Sequence, residues 1–167
     1  GVNVIALDLY DNVVTSTRED AAKAMQAVTT DRATAIIKGA YAHAGANARV
    51  FTIGWCFGGG WSLQTTLIGG KQAVGCIMYY GQPEKEVDRL KTLNADVLGF
   101  FGNLDQWPSP QVVTEFAENM NKAGKKLYLN RYEAPHAFAN PSNPSFNKEA
   151  TEDAYKKVLA FVKERMK

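Results

Sequence analysis

The sequence predicts an α/β protein in which a mostly parallel sheet lies between two layers of helices. Short apolar runs alternate along the chain with longer amphipathic segments, which is the pattern of β-α-β units. The 167 residues are 46% hydrophobic and 22% charged, a composition typical of an ordinary globular protein, so we expect one domain over residues 1–167. A chain of this length buries roughly 69% of its surface on folding, which suffices for a core without disulfide or metal cross-links.

Five segments are predicted as strands. Residues 2–9, 49–55, 73–80 and 96–101 are short and apolar. Residues 2–9 and 73–80 have the composition of strands buried on both faces of a sheet. Residues 126–132 alternate polar and apolar side chains, so this strand is expected nearer the edge of the sheet.

Helices are predicted in the intervening segments, and most have recognisable ends. Thr17 begins a capping box, Thr30 is expected to cap the second helix, and Gly45 to end it. Ser109 followed by Pro110 is typical of a helix start. The predicted helices are residues 17–28, 30–45, 58–67, 109–124 and 147–166. Strands that alternate with helices in this way form parallel β-α-β units.

Charge and composition exclude several classes of partner. The chain has 19 basic and 17 acidic residues, a balance that predicts no nucleic-acid partner. No apolar run reaches the roughly 18 residues of a membrane span, and no basic segment marks a signal peptide, so we expect a cytoplasmic protein without a membrane partner. Two cysteines and two distant histidines predict neither a disulfide scaffold nor a metal site.

The segment with the clearest chemistry is residues 54–58, the sequence G-W-C-F-G between a predicted strand and a predicted helix. Glycines at such a junction permit a sharp turn that exposes the central residue as a nucleophile, here Cys56. Its sulfur would lie at a helix N-terminus, which favours the thiolate, and the Phe57 N–H would face a developing oxyanion. A buried structural cysteine in a glycine-rich turn is the alternative. A phosphate loop is not, because neither phosphate-binding glycine pattern is present.

Two further loops at the carboxyl ends of predicted strands carry reactive side chains. Asp105 follows the fourth strand and His136 follows the fifth. Taken singly, Asp105 is explained by an aspartate that stabilises a turn. His136 is explained equally well by a loop histidine that is hydrogen-bonded to the backbone. Together with Cys56 they give the chain order nucleophile, acid, histidine, which is the order of α/β-hydrolases. Cys76 lies in an apolar strand as a core residue, and a Cys56–Cys76 redox pair is a further alternative.

The chain resembles the dienelactone hydrolase family, the cysteine branch of the α/β-hydrolases, over essentially its whole length. The residues that carry the resemblance are Asp8-Leu9-Tyr10, Gly54-Trp55-Cys56-Phe57-Gly58-Gly59, Tyr79-Tyr80-Gly81, Gly102-Asn103-Leu104-Asp105 and Pro135-His136-Ala137-Phe138. The resemblance implies hydrolysis of a small ester or lactone through a thioester acyl-enzyme, with no metal and no cofactor. It implies Cys56 as nucleophile, His136 as general base and acid, and Asp105 as the residue that orients the imidazole.

Aromatic side chains next to these residues are candidates for the wall of a substrate pocket, although core packing explains them equally well. They are Trp55, Phe57, Trp107 and Phe138.

Two departures from the family pattern bear on function. Family members carry more chain before the segment that matches residues 2–10, including a strand between the first two strands here, the second oxyanion donor and a glutamate. We therefore expect one of three arrangements. Residues 2–9 move over and pair with the second strand, or a partner chain (such as a second copy) completes the sheet. In the third, the chain is a fragment of a longer protein. Loss of one oxyanion donor costs about 10² to 10³ in rate, which predicts a feeble catalyst.

The second departure concerns specificity. Family members that cleave dienelactones bind the substrate carboxylate with arginines, one of them four residues after the histidine, where this chain has Asn140. Arg18 and Arg131 are the candidates to replace it. A non-catalytic binding domain with the same fold is the alternative to an enzyme.

Overall fold

The computed structural model describes residues 1–166, which fall into two compact units. The first unit is residues 1–48, and the second begins at Arg49. The expectation of one domain over residues 1–167 stays a prediction. No helix among the described residues combines the length and the apolar character that crossing a membrane requires.

The first unit contains the helices α1 (Arg18–Ala27) and α2 (Thr30–Ala44). The predicted cap at Thr17 is confirmed, because its hydroxyl accepts a hydrogen bond from the Asp20 N–H at 3.1 Å. The predicted cap at Thr30 is wrong by one residue: the Thr29 hydroxyl accepts from the Arg32 N–H, and Thr30 is the first residue of the helix. Both helices are therefore capped by the threonine that precedes their first residue, and its hydroxyl satisfies a free backbone donor.

The strand predicted over residues 2–9 is wrong, since this segment forms no strand. Val2 is 64% exposed and Val4 is 84% exposed, so the apolar side chains that predicted a buried strand are largely in solvent. A strand needs hydrogen bonds and side-chain cover from neighbouring strands, and β-branched composition alone supplies neither. It follows that residues 2–9 do not pair with the second predicted strand, and the expectations of a partner chain or a longer protein stay predictions.

The second unit is a parallel sheet with helices on both faces. Its strands are β1 (Val50–Trp55), β2 (Ala73–Tyr79), β3 (Val97–Gly102) and β4 (Leu127–Tyr132). Its helices are α3 (Phe57–Gly69), α4 (Val87–Leu90), α5 (Pro110–Lys122) and α6 (Lys148–Arg165), with a 3₁₀ turn at Gly70–Gln72. The strands lie in the order β1-β2-β3-β4 and all pair in parallel. The expected edge position of β4 is confirmed.

Successive residues of the two central strands face opposite layers of helices. On one face, Met78 of β2 and Phe101 of β3 pack with Phe116 of α5 and with residues of α3 and α4. On the other face, Ile77 and Phe100 pack with residues of α6. This alternation is the period of a strand, and it produces the predicted three-layer α/β/α arrangement.

Candidate active site

Cys56 lies at the turn between β1 and α3 with a backbone conformation that few side chains adopt. Its φ is 54° and its ψ is −121°, as in the strained turn predicted from the G-W-C-F-G sequence. The first glycine of that sequence is required, because a Cβ on Gly54 would lie 1.9 Å from the Gly58 carbonyl oxygen. The second is not: a Cβ on Gly58 meets nothing within 4 Å. The strand and helix therefore meet closely at Gly54, and Cys56 projects from the turn.

The loops that carry Asp105 and His136 pack against each other at the carboxyl ends of β3 and β4. A Cβ on Gly102 would lie 2.1 Å from the Ala134 carbonyl oxygen, so only a glycine permits this approach. The Leu104 N–H donates to the same carbonyl at 3.2 Å. Asp105 follows in the first loop and His136 in the second, which brings residues 31 positions apart in sequence together.

The three predicted side chains form one continuous hydrogen-bonded series. The Nε2 atom of His136 lies 3.1 Å from the Cys56 Sγ, and its Nδ1 atom lies 2.7 Å from an Asp105 carboxylate oxygen. The other Asp105 oxygen accepts from the Trp107 N–H at 2.8 Å, so both oxygens are held. Asp105 is 5% exposed, whereas Cys56 is open to solvent. This order, from buried acid to exposed sulfur, is the geometry that activates a nucleophile.

The hydrogen bond between Cys56 and His136 shifts the pKa of each partner in the direction that favours an ion pair. The imidazole lowers the pKa of the Cys56 thiol, more than burial raises it, and the Phe57 N–H adds a hydrogen bond to the sulfur. The sulfur and then Asp105 raise the pKa of His136 to about 9, against the opposing effect of burial. Because the two groups share one proton, both shifts favour a thiolate beside an imidazolium over the neutral pair.

A pocket of about 300 Å³ opens beside Cys56. It is lined by Trp55, Cys56, Tyr80, Ala137, Ala139, Asn140 and Pro141. Of the aromatic residues predicted for the wall, Trp55 therefore lines the pocket. Phe57, Trp107 and Phe138 are not in this lining. Trp107 is 68% exposed in its loop, and Phe138 is fully buried in the core.

Sequence reasoning did not identify Tyr80, Ala137, Ala139 and Pro141 as parts of the pocket, whereas the family resemblance had singled out the position of Asn140. Tyr80 directly follows β2 at the carboxyl end of the sheet, which is the signal that could have found it. Its ring contacts the His136 ring edge-to-face, with 4.9 Å between centroids. Residues 137–141 join the pocket only through the path of the loop after His136, including a φ of 61° at Ala137, and short sequence patterns do not encode such a path.

Two other sequence candidates make contacts outside the hydrogen-bonded series. Cys76 is fully buried in β2, as predicted for a core residue, and both cysteines are free thiols. Arg131 of β4 donates to the Pro110 carbonyl and to the Thr114 hydroxyl. The expectation that Arg18 replaces the family arginine stays a prediction. Within residues 1–166, no group of three or more His, Cys, Asp or Glu side chains is arranged to hold a metal ion.

Comparison with known proteins confirms the resemblance seen in the sequence. The model of the dienelactone hydrolase family matches residues 1–166. A carboxymethylenebutenolidase from a Pseudomonas species is 31% identical over 119 residues, which are 71% of this chain and 48% of that protein. Carboxymethylenebutenolidase 1 from Cupriavidus pinatubonensis is 28% identical over 115 residues, 68% of this chain and 47% of that protein. The chain thus spans about half the length of these curated relatives.

The fold agrees with that of solved structures. A dienelactone hydrolase-like promiscuous phosphotriesterase from metagenomic libraries matches with a TM-score of 0.82 over 96% of this chain and 73% of that one. At 15% identity this likeness shows the fold alone, which is the α/β-hydrolase-like fold predicted from the order of strands and loops. With the family model matched from residue 1 to residue 166, the conclusion is direct: this chain belongs to the dienelactone hydrolase family.

Proposed function

We propose that this protein hydrolyses small carboxylic esters or lactones through a thioester formed on Cys56. The observation that carries the proposal is the series of hydrogen bonds from Asp105 through His136 to the Cys56 sulfur, at 2.7 and 3.1 Å. The curated relatives are named for cleavage of a carboxymethylene-substituted butenolide, which is a lactone, and this supports the same class of reaction here.

In the first half of the proposed cycle, the Cys56 thiolate attacks the acyl carbon and the carbonyl oxygen becomes an oxyanion. The Phe57 N–H, at the start of the 13-residue helix α3, is the proposed donor to that oxyanion. As the intermediate collapses, the carbon–oxygen bond of the leaving group breaks and the departing alkoxide takes the Nε2 proton of His136. The products of this half are an alcohol and a thioester on Cys56.

In the second half, His136 is neutral and acts as general base. It removes a proton from a water molecule as that water attacks the thioester carbon, and the carbon–sulfur bond then breaks. The acid is released, the thiolate returns, and the imidazole holds the proton it took from water. Asp105 accepts the Nδ1–H bond throughout, which fixes the tautomer that directs Nε2 at sulfur and water.

The direct test is hydrolysis of 4-nitrophenyl acetate by the purified chain and by variants of Cys56. We expect Cys56→Ala to lower kcat/KM by on the order of 10⁴-fold or to the buffer background, because no nucleophile remains. We expect Cys56→Ser to keep a small remnant, since a hydroxyl is a weaker nucleophile than a thiolate at the same geometry. Mass spectrometry of an acid-quenched reaction should find one acetyl group on Cys56.

The matched control is Cys76→Ser, which removes the buried thiol and leaves the exposed one. Its rate should stay close to that of the original chain. Full activity in Cys56→Ala would refute the proposal. Tight binding of esters without turnover and without an acyl group on Cys56 would instead support the binding-domain alternative.

A further inference from the structure

The pocket beside Cys56 has no cationic side chain in its lining, within the part of the chain that the structure describes. Trp55, Tyr80 and Asn140 supply its largest side chains, and two alanines, a proline and the Cys56 thiol itself supply the rest. An amide can donate hydrogen bonds but it cannot neutralise a charge. A ligand that enters this pocket therefore meets apolar and neutral polar groups.

The reacting groups beside the pocket carry excess negative charge. The Asp105 carboxylate is hydrogen-bonded to the His136 ring, and the Cys56 sulfur shares one proton with that ring, so the three groups together carry one net negative charge wherever that proton lies. Both ring nitrogens of His136 already face the Cys56 sulfur and the Asp105 carboxylate, so the ring has no free N–H for a substrate carboxylate. A carboxylate on a substrate would approach this site against repulsion and would lose hydration without gaining a partner.

The arginine nearest to His136 along the chain is committed elsewhere. The Arg131 guanidinium donates to the Thr114 hydroxyl at 2.7 Å and to the Pro110 carbonyl oxygen at 3.3 and 3.4 Å, which ties it to α5. Turning it toward the pocket would break these hydrogen bonds. Arg131 is thus held as a contact between β4 and α5, and the expectation that Arg18 replaces the family arginine stays a prediction.

Trp55 offers an apolar surface at the mouth of the pocket. Its indole stacks on the Tyr79 ring, with 5.4 Å between centroids and an interplanar angle of 23°. Trp55 is nevertheless 48% exposed, so one face is supported while the rest stays open. An alkyl or aromatic group placed there would lose contact with water on a surface that is already rigid.

We infer that this site takes uncharged apolar esters and discriminates against esters whose acyl group carries a carboxylate, with Asn140 and Trp55 setting the preference. The inference rests on the proposed function and specifies the substrate class for it.

The test compares two activated esters that differ only in charge. The 4-nitrophenyl ester of hexanoic acid and the 4-nitrophenyl half-ester of adipic acid share a leaving group and a six-carbon acyl chain, and a carboxylate replaces the terminal methyl in the second. We expect kcat/KM for the hexanoate to exceed that for the half-ester by about tenfold or more, after each is divided by its own hydroxide-catalysed rate.

Asn140→Arg places a cation in the pocket wall and tests the cause of the preference. It should raise kcat/KM for the half-ester, so that the ratio of kcat/KM for the hexanoate to that for the half-ester falls by about tenfold. Added salt should weaken this gain. Asn140→Gln, the matched control, adds length without charge and should leave the ratio within about twofold. Trp55→Ala should raise KM for the hexanoate more than for the acetate, because the longer chain loses its apolar contact.

The outcomes separate the inference from the function on which it rests. A half-ester hydrolysed as fast as the hexanoate, or an unchanged ratio in Asn140→Arg, would overturn the inference and leave the hydrolase proposal intact. Failure of the chain to hydrolyse either ester faster than Cys56→Ala does would refute the proposed function, and the substrate preference with it.

Discussion

At the scale of single residues, the position of one proton decides what Cys56 can do. The sulfur and the His136 Nε2 are 3.1 Å apart, and the imidazole is anchored on its other side by Asp105 at 2.7 Å. The lowered pKa of Cys56 and the raised pKa of His136 both favour the location of this proton on the ring. A thiolate next to an imidazolium should therefore exist over a range of pH and not only in alkaline solution.

This range gives a prediction for the rate at which iodoacetamide alkylates Cys56. As pH falls through the lowered pKa of Cys56, the sulfur gains a proton and alkylation slows, so the lower midpoint should lie well below the roughly 8.5 of a free thiol. As pH rises through the pKa of His136, at about 9, the ring loses its proton and the thiolate loses its partner. The rate measured by mass spectrometry from pH 5 to 10 should show the lower step clearly.

His136→Ala is the control for the cause of that step, because the imidazole is the largest influence on the pKa of Cys56. Its lower midpoint should move up toward that of a free thiol. Cys76 is fully buried and should stay unlabelled in both proteins. Identical midpoints in the original chain and in His136→Ala would contradict an ion pair between Cys56 and His136.

The sequence predicted the three reactive residues but not the pocket around them, for a physical reason. The identities of Cys56, Asp105 and His136 follow from where they stand relative to strand ends, because carboxyl ends of parallel strands meet at one edge. The pocket depends on how loops turn after those ends. Phe138 entered the core and Trp107 stayed exposed, although both stand within two residues of a member of the hydrogen-bonded series.

At the scale of elements, the turn between β1 and α3 depends on a glycine at one of its two predicted positions. Gly54→Ala should place a methyl group 1.9 Å from the Gly58 carbonyl oxygen and destabilise the fold by about 3 kcal/mol, with loss of esterase activity. Gly58→Ala should be neutral or should stabilise the protein by up to about 1 kcal/mol, because the methyl group enters open space on a helix. Urea denaturation of both variants measures the difference.

The two substitutions add the same methyl group four residues apart, so each is the control of the other. Equal losses of stability would mean that α3 does not approach β1 at Gly54 as described. Retained activity in Gly54→Ala with unchanged stability would also contradict this prediction, because Cys56 would then not need the close turn at Gly54.

A strand was predicted correctly where its composition favours a strand and neighbouring strands are present to pair with it. Residues 73–79 form β2 as expected, because they pair with β1 on one side and β3 on the other. Residues 2–9 have similar composition and form no strand, since pairing is a property of the neighbours and not of the segment. The four-residue helix α4 was missed because it is too short to show a period.

At the scale of the whole molecule, the sheet-centred unit depends on two cores that share one sheet. Alternate residues of β2 and β3 contribute to each core, so neither face can be lost without exposing the reverse side of the same strands. The candidate active site lies at the carboxyl ends of the strands of this sheet, so packing in both layers holds its residues in place. Unfolding of this unit should therefore be a single cooperative transition.

A pair of substitutions on opposite faces tests this cooperativity. Phe116 of α5 is 1% exposed in one core, and Phe161 of α6 is 5% exposed in the other. Phe116→Ala and Phe161→Ala should each lower the free energy of unfolding by about 3 to 5 kcal/mol, because each leaves a cavity in a packed layer. In urea, circular dichroism of the helices and fluorescence of the three tryptophans, Trp55, Trp61 and Trp107, should report one shared midpoint for each variant. If Phe161→Ala moved the midpoint of the helix signal and left that of the tryptophan signal in place, the two layers would unfold independently, and the site could not depend on both.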